Sequence, residues 1–277
     1  MAPFVEGIAH PCKVLFLCDA LALALKRSLP YQPWFRRPGV RWECRRVRRY
    51  EPDCARGFRE NWVVSDVDAQ DLEARGCPRV AVLPLGVDER LLSLPLEPRR
   101  VPRVAFLGNL SVPHNVDAAN WLAREIWPLV RAALPAAELE IVGADPLPQV
   151  LALADLPGVS VTGALPSLLP VWERSALLLA PLRFSSGVQY KLLEPMAAGV
   201  PVVTTLQAAE AIGARDGVEL RTGTDAASLA AAAIDVLGAG ERLMPMLGAA
   251  RELVRRRFSW ETLVDRLERL AAGGDSH

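Results

Sequence analysis

The segment from Ser185 to Glu194 combines residue types that can bind a diphosphate and a sugar diol. Ser185, Ser186 and Gly187 lead into a stretch with helical spacing, Tyr190–Ala198. Unpaired N–H groups at the start of a helix, with the helix dipole behind them, favour an anionic phosphate. A glycine at this point lets the backbone come close to the ligand. The segment therefore predicts a phosphate-binding turn.

Lys191 and Glu194 stand three residues apart and so share one face of this predicted helix. A lysine ammonium can bind a diphosphate as a point charge, and a carboxylate can accept hydrogen bonds from a ribose diol. The chain has 29 arginines and only three lysines, and an ammonium is not equivalent to a guanidinium. The alternative interpretation is an ordinary helix cap followed by a solvated salt bridge.

The second half of the chain reads as strands alternating with helices, which is the doubly wound α/β pattern. In the usual strand order, 3-2-1-4-5-6, the ligand crevice lies at the carboxyl ends of strands 1 and 4. This order predicts a site between the loops Gly108–Asn115 and Arg183–Val188. The predicted strands are 103–108, 138–143, 159–163, 176–182, 201–205 and 218–223, and the predicted helices include 116–134, 147–154, 167–174, 190–198 and 226–237.

The first hundred residues contain only three predicted strands, at 14–20, 62–65 and 80–86, with a helix-compatible stretch at 66–75. Three strands are too few for a complete doubly wound domain. Prolines at 95, 98 and 102 then indicate a linker. We therefore predict a partial Rossmann-like N-terminal domain, residues 1–98, and a C-terminal Rossmann-like domain, residues 99–277.

Composition restricts the classes of partner. Lys+Arg and Asp+Glu both number 32, so the balance of charge gives no general attraction for nucleic acid. No apolar run is long enough for a membrane span, and the odd number of cysteines, five, suggests reduced thiols in a cytoplasmic protein. Residues 34–50 contain seven arginines interleaved with aromatics. They predict either a peripheral contact at the inner face of a membrane, with anionic lipid or a polyprenyl-phosphate acceptor, or simply a solvated helix. Nucleic-acid binding is a weaker alternative.

Several stretches together resemble one known family. The run GVQYKLLEPMAAGVPVVTT (187–205) resembles the donor-binding signature of retaining glycosyltransferases with the GT-B fold, in the family 4 group. VAVLPLGVD (80–88), FLGNLSVPHNVDAANWL (106–122) and RRRFSWETLVDRL (255–267) are similar to other segments of that family. The resemblance covers nearly all of residues 60–270.

The resemblance implies transfer of a sugar, with retention, from a UDP- or GDP-sugar to a glycan or lipid-linked acceptor in polysaccharide or glycolipid assembly. It implies that Lys191 and Glu194 are the catalytic pair: Glu194 binds the ribose, and Lys191 stabilises the departing diphosphate. It also places the base near Gly163 and implies that no metal or other cofactor is needed. With the residue pattern, the donor-binding set is Gly108, Asn109, Gly163, Ser185, Ser186, Gly187, Val188, Lys191 and Glu194.

This chain departs from the family in three places. Ser186 stands where many members have a glutamate that contacts the donor sugar, and Leu85 stands where an asparagine is usual. The third departure is that the front half of the N-terminal domain has no counterpart. We therefore expect either a truncated chain or a domain completed by a dimer or a partner, with an unpaired edge or apolar face at strand 14–20. The alternative function is a non-catalytic nucleotide-sugar-binding protein; a GT-B epimerase or phosphorylase is a third possibility, disfavoured by the presence of only three histidines.

Overall fold

The computed structural model describes residues 8, 10, 13–99, 101–185 and 187–271, so Ser186 lies outside the described residues. The chain divides into two compact units, which are considered separately below. The first comprises Met1–Gly86, Phe184–Val188 and Glu261–His277. The second comprises Val87–Arg183 and Gln189–Trp260. Nothing in the sequence pattern indicated that residues 184–188 would group with the first unit.

The first unit contains a three-stranded parallel sheet in the order β1-β2-β3. Its core is built from Ala20, Ala55, Val63, Leu72 and Cys77, which are buried together. Its strands and helices are β1 Val14–Cys18, α1 Leu21–Ser28, α2 Arg37–Ala55, β2 Glu60–Val63, α3 Asp66–Ala74 and β3 Val80–Val82, with a 3-10 turn at Leu29–Tyr31.

Strand β1 lies at an edge of this sheet. Within the described residues it pairs only with β2, in the register Phe16 to Trp62. Phe16 is 39% exposed, which is high for a large apolar side chain on a parallel strand. The expected exposed edge at this strand is therefore present in the described part of the chain.

The second unit contains a six-stranded parallel sheet in the order β6-β5-β4-β7-β8-β9, which is the predicted 3-2-1-4-5-6 arrangement. The predicted α/β class, with a doubly wound parallel sheet, is thereby confirmed. Its elements are α4 Glu89–Leu92, β4 Arg103–Leu107, α5 Pro113–Trp121, α6 Trp127–Ala133, β5 Glu138–Val142, α7 Pro148–Leu151, β6 Val159–Thr162, α8 Leu169–Arg174, β7 Leu177–Ala180, α9 Tyr190–Ala197, β8 Val202–Thr205, α10 Leu206–Ile212, β9 Arg221–Gly223, α11 Ala226–Ala239 and α12 Met244–Phe258; a last helix, α13 Trp260–Ala271, runs into the first unit.

The central strands are buried on both faces, as their continuous apolar sequences require. All residues of β7 and β8 are buried, and so are Val104, Ala105 and Phe106 of β4. Leu178 pairs with Ala105 on one side and with Val202 on the other. The chain reverses its winding direction between β4 and β7, which fixes the switch point of the sheet.

Some element limits differ from the prediction. Helix α5 begins at Pro113, three residues before the predicted start, because proline is well suited to the first turn of a helix. A π-helical turn, Leu122–Ile126, joins α5 to α6. Helix α11 begins as predicted at Ala226, where Asp225 accepts a hydrogen bond from the Ser228 N–H at 2.8 Å.

Two further observations bear on the compositional predictions. In the described ranges, none of the helices has the length and apolar character that crossing a bilayer demands. Four cysteines, Cys18, Cys44, Cys54 and Cys77, are free thiols.

Candidate functional site

Two loops meet the carboxyl edge of the second sheet at its switch point. One follows β4 and leads through Gly108 and Asn109 into α5, and the other follows β7 and leads into α9. Parallel strands that adjoin at a reversal of winding leave a crevice at this edge. The side chains described next belong to the second unit, unless stated otherwise.

Lys191 is the second residue of α9, and its ammonium donates a hydrogen bond to Oδ1 of Asn115 in α5. The same ammonium lies 6.0 Å from the centroid of the Phe106 ring at the end of β4. Burial lowers the pKa of Lys191 from 10.5 to about 7. The structure therefore places a partly buried lysine, easily deprotonated, between α9 and α5 at the switch point of the sheet.

Asn115 connects this lysine to the first loop. Its side chain is only 4% exposed, and its Nδ2 donates to the backbone carbonyl of Asn109 at 2.9 Å. A Cβ at position 108 would lie 2.6 Å from Cγ of Asn115, so only glycine fits at Gly108. Through Asn115, the structure brings Gly108, Asn109 and Lys191 together.

The sequence reasoning covered Asn115 as the last residue of the predicted loop but did not single it out. Its partner Lys191 is 76 residues further along the chain, and only the strand order brings the two together.

Asn109 uses its own side chain to shape the loop. Its Oδ1 accepts hydrogen bonds from the N–H of Ser111 at 2.9 Å and from the Ser111 hydroxyl at 2.6 Å. Its Nδ2 donates to Asp145 at 3.1 Å. A Cβ on Gly143 would lie 1.7 Å from the carbonyl oxygen of Gly108, so the loops after β4 and β5 touch backbone to backbone.

His114 is a second titratable group beside Lys191 that the sequence reasoning did not assign to the site. Burial, and then the positive charge of Lys191, lower the pKa of His114 from 6.5 to about 4. The imidazole is consequently neutral near pH 7 and adds no positive charge to the crevice.

Glu194 lies one turn after Lys191 on α9, and its Oε2 is buried without a hydrogen-bond partner among the described residues. Burial, and then the negative charge of Asp88, raise the pKa of Glu194. The nearby indole N–H of Trp172 favours the charged carboxylate and so opposes this rise in pKa. The two groups nevertheless form no hydrogen bond of normal geometry, since Nε1 of Trp172 is also buried without a partner among the described residues. A buried carboxylate oxygen with an unused acceptor is uncommon in proteins and can accept a hydrogen bond from a further group.

The alternative interpretation, in which Lys191 and Glu194 form a solvated salt bridge, does not hold. Among the ion pairs of the described ranges, none joins Lys191 to Glu194, and neither side chain is fully exposed. The ordinary helix cap is not observed either. The N-cap residue of α9 is Gln189, and no side chain forms a capping hydrogen bond there.

Ser185, Gly187 and Val188 precede α9 and group with the first unit. Helix α9 begins at Tyr190, as predicted, three residues after Gly187. Within the first unit, Arg27 donates to the Ser185 carbonyl at 3.1 Å.

Gly187 has a left-handed φ of +63°, and a Cβ there would lie 1.8 Å from Oδ1 of Asp19. Glycine is therefore required at this position both by backbone conformation and by space. Ser186, which was predicted to bind the donor, lies in the part of the chain that is not described.

Gly163 directly follows β6, the last strand on one side of the sheet. It lies at the same carboxyl edge as Gly108, but two strands away, at a distance of about 10 Å by the usual strand spacing. A Cβ at Gly163 would meet no atom within 4 Å, so the position borders open space. The structure does not bring Gly163 into the cluster around Lys191.

Two arginines hold the far end of α9. Arg251 donates through Nε to the carbonyl of Ala197 at 2.9 Å, and Arg99 donates through Nη1 to the carbonyl of Gly199 at 2.8 Å. Cations at a helix C-terminus satisfy its free carbonyls and offset the negative end of the dipole. They fix the direction in which the N-terminal turn, with Lys191, points.

Solved structures of known proteins share this fold, and the likeness confirms the predicted GT-B-type fold class. HepE of Anabaena, in complex with UDP and glucose, has 16% sequence identity and a TM-score of 0.71, over 94% of this chain and 71% of that one. TarM of S. aureus, in a complex that includes UDP, has 14% identity and a TM-score of 0.67, over 81% and 46%. Sucrose-phosphate synthase of Thermosynechococcus elongatus has 18% identity and a TM-score of 0.67, over 83% and 61%.

At such low identity these likenesses show the fold alone, and this chain spans about half the length of TarM, 46%. No curated protein matches the sequence. The profile of the family described as glycosyl transferases group 1 matches residues 101–239, half of the 277-residue chain. That match includes both loops of the crevice, Asn115, Lys191 and Glu194. The chain therefore belongs to the glycosyl transferases group 1 family.

Proposed function

We propose that this protein binds a nucleoside diphosphate sugar in the crevice of its second unit and transfers the sugar, with retention, to a glycan or lipid-linked acceptor. Such a reaction is of the family 4 type and belongs to polysaccharide or glycolipid assembly. The observation that carries the proposal is Glu194: a buried carboxylate oxygen without a partner, one helical turn from a buried lysine, at the switch point. That pairing suits a ribose diol followed by a diphosphate.

The roles follow from charge. Lys191, together with the positive end of the α9 dipole, would stabilise the negative charge that develops on the departing diphosphate. Asn115 would hold the ammonium in place. Glu194 in its ionised form would accept hydrogen bonds from two vicinal hydroxyls. We propose that these charges suffice for donor binding without a metal or other cofactor.

The choice of nucleotide base is a narrower proposal. HepE and TarM were solved in complexes with UDP, which makes UDP the first nucleotide to test here. Position 163 borders open space at the same edge of the sheet, as a base-binding region needs.

Isothermal titration calorimetry with UDP, GDP and ADP tests donor binding. We expect Lys191→Met and Glu194→Gln each to weaken binding at least tenfold. Lys26→Met and Glu210→Gln are matched controls, because both side chains are exposed and lie on other helices. Equal affinity in all four variants, or no nucleotide binding by the wild type, would overturn the proposal.

A second function, nucleotide-sugar binding without transfer, is favoured by one observation. The first unit has three strands in its described sheet, whereas the second has six. Incubation with radiolabelled donor separates the two functions, since release of free sugar or transfer to added glycan requires catalysis. Tight UDP binding with neither release nor transfer would favour the binding protein.

The exposed edge of β1 also supports the proposal that a second copy or a partner completes the first sheet. Unpaired strand edges are templates for further pairing. Sedimentation velocity on the wild type and on Phe16→Lys tests this proposal. We expect the wild type to sediment as a dimer or larger species and the variant as a monomer; a monomeric wild type would count against self-association.

A further inference from the structure

An exposed surface of arginines and aromatic rings lies on α2 and just before it. We call it the basic aromatic face; its members are Trp34, Phe35, Arg41, Trp42, Arg45, Arg46 and Arg49. Trp34 is 80% exposed, Phe35 is 61% exposed and Trp42 is 59% exposed. Large aromatic side chains are seldom so exposed, and several of them together indicate an interaction surface.

The packing of α2 determines which residues face outward. Its opposite side carries Cys44, Val47 and Ala55, which are buried, and the Cys44 thiol lies 3.5 Å from the Ala22 carbonyl of α1. Residues 42, 45, 46 and 49 follow the i, i+3, i+4, i+7 spacing, so they share the outer side of the helix. The face is therefore held outward by a packed helix.

The positive charge of this face is largely uncompensated. Within residues 34–50 there are seven arginines and a single acid, Glu43, which pairs with Arg46 at 3.2 Å. Arg41, Arg45 and Arg49 have no carboxylate within 4.0 Å among the described residues. Some exposed arginines elsewhere do have a carboxylate partner, as Arg255 has Glu252 at 2.8 Å.

The aromatic rings are arranged among these charges. Arg46 lies over the Trp42 ring at 4.6 Å, and Trp34 and Phe35 meet edge to face at 6.0 Å. Rings of tryptophan and phenylalanine partition into the headgroup region of a bilayer, and arginines beside them meet anionic lipid. Unpaired RNA bases could also stack on these rings, but the chain carries 32 basic and 32 acidic side chains and so has no general attraction for nucleic acid.

We propose that the basic aromatic face binds the surface of a bilayer containing anionic lipid. The aromatic rings insert among the headgroups, and Arg41, Arg45 and Arg49 contact lipid phosphates. The interaction is peripheral and depends on salt, because charges at the surface are screened. It would hold the protein at a membrane independently of any ligand in the crevice of the second unit.

Vesicle cosedimentation tests this inference, with vesicles of phosphatidylcholine alone and of phosphatidylcholine with phosphatidylglycerol. We expect the wild type to pellet only with the mixed vesicles and to be released by salt. Arg45→Gln/Arg49→Gln should weaken partitioning about 25-fold, since each arginine near an anionic surface contributes about a fivefold factor. Trp42→Gln should weaken it several-fold.

The controls remove the same side-chain types elsewhere. Arg255→Gln/Arg256→Gln and Trp260→Gln alter exposed residues outside the face and should pellet like the wild type. Thermal unfolding should be unchanged in every variant, because the altered side chains are exposed. UDP binding should also be unchanged, so failure of this inference is distinct from failure of the proposed donor site.

Three results would overturn the inference. One is equal pelleting with neutral and anionic vesicles, and another is equal pelleting of the face and control variants. The third is binding to a short RNA, lost in Arg45→Gln/Arg49→Gln, with no vesicle binding; that result would instead establish a nucleic-acid surface.

Discussion

Replacement of Lys191 by methionine should make the unliganded protein more stable while weakening nucleotide binding at least tenfold. The ammonium is held in a partly buried position where its pKa falls from 10.5 to about 7. At or below pH 6.5 this difference in pKa means that burying the charged ammonium lowers the free energy of unfolding by at most about 5 kcal/mol. A diphosphate-binding site would account for this loss of stability, because the negative charge of a bound diphosphate stabilises the buried ammonium.

The size of the effect follows from two opposing contributions. Methionine removes the charge but leaves Oδ1 of Asn115 without its donor, a loss of about 1–3 kcal/mol. The net gain at pH 6.5 is therefore at most about 2–4 kcal/mol, which corresponds to a rise in Tm on the order of 5–15 °C.

The pH dependence separates this explanation from an ordinary packing effect. Between pH 7 and 10.5 the unfolded chain still binds the proton that the folded chain has released, so wild-type stability rises with pH. From pH 6.5 to 9.5 the advantage of the variant should shrink by about 3 kcal/mol and nearly vanish. Chemical denaturation at the two pH values measures it, with Lys26→Met as a control that should not differ from the wild type. A variant that is less stable than wild type at pH 6.5, or an advantage independent of pH, would refute the reasoning.

Two further predictions concern the residues around this lysine. UDP binding should weaken at high pH as Lys191 loses its proton, and Asn115→Asp should move that weakening to higher pH, because a carboxylate beside Lys191 raises the pKa of the ammonium. Calorimetry at pH 7 and 9 measures the change, and it would show no shift if the two side chains do not interact. Gly187→Ala should destabilise the first unit, since the left-handed φ costs about 1–2 kcal/mol and the methyl group meets Asp19. Asp19→Ala in the same chain should restore part of that stability in chemical denaturation, and no recovery would mean that the clash is not the cause.

The arrangement of the second sheet could be predicted because its causes are local. Strands such as 103–107 and 177–180 are buried on both faces, so their sequences are continuous apolar runs. Alternation of such runs with helices leaves few possible orders, and the switch point follows from the order. The positions of Lys191 and Glu194 at the switch point could thus be derived before any contact was known.

The partners of those side chains could not be derived, because they depend on distances across the fold. The bond from Lys191 to Asn115 and the isolation of Glu194 Oε2 are set by how closely α5, α8 and α9 pack. The contact of Asp19 with Gly187 joins positions far apart in the chain. No periodicity or motif records such a contact.

Lys191 and Glu194 lie close together in a crevice that disfavours charge on both, and this predicts how binding responds to pH. Burial pulls the pKa of the lysine down and that of the glutamate up, so the empty site loses charge more readily than exposed groups would. A bound diphosphate reverses the first shift, so UDP binding should take up close to one proton at pH 8, where free Lys191 is mostly neutral.

Calorimetric titration at pH 8 in buffers of different ionisation enthalpy measures that uptake. Affinity should fall about tenfold for each pH unit above 7, until the pKa of the bound state is reached. Lys191→Arg is the matched control, because a guanidinium stays protonated at these pH values. It should bind UDP more weakly but without proton uptake or pH dependence. Proton uptake that persists in Lys191→Arg would assign the titrating group elsewhere and would remove Lys191 from the diphosphate site.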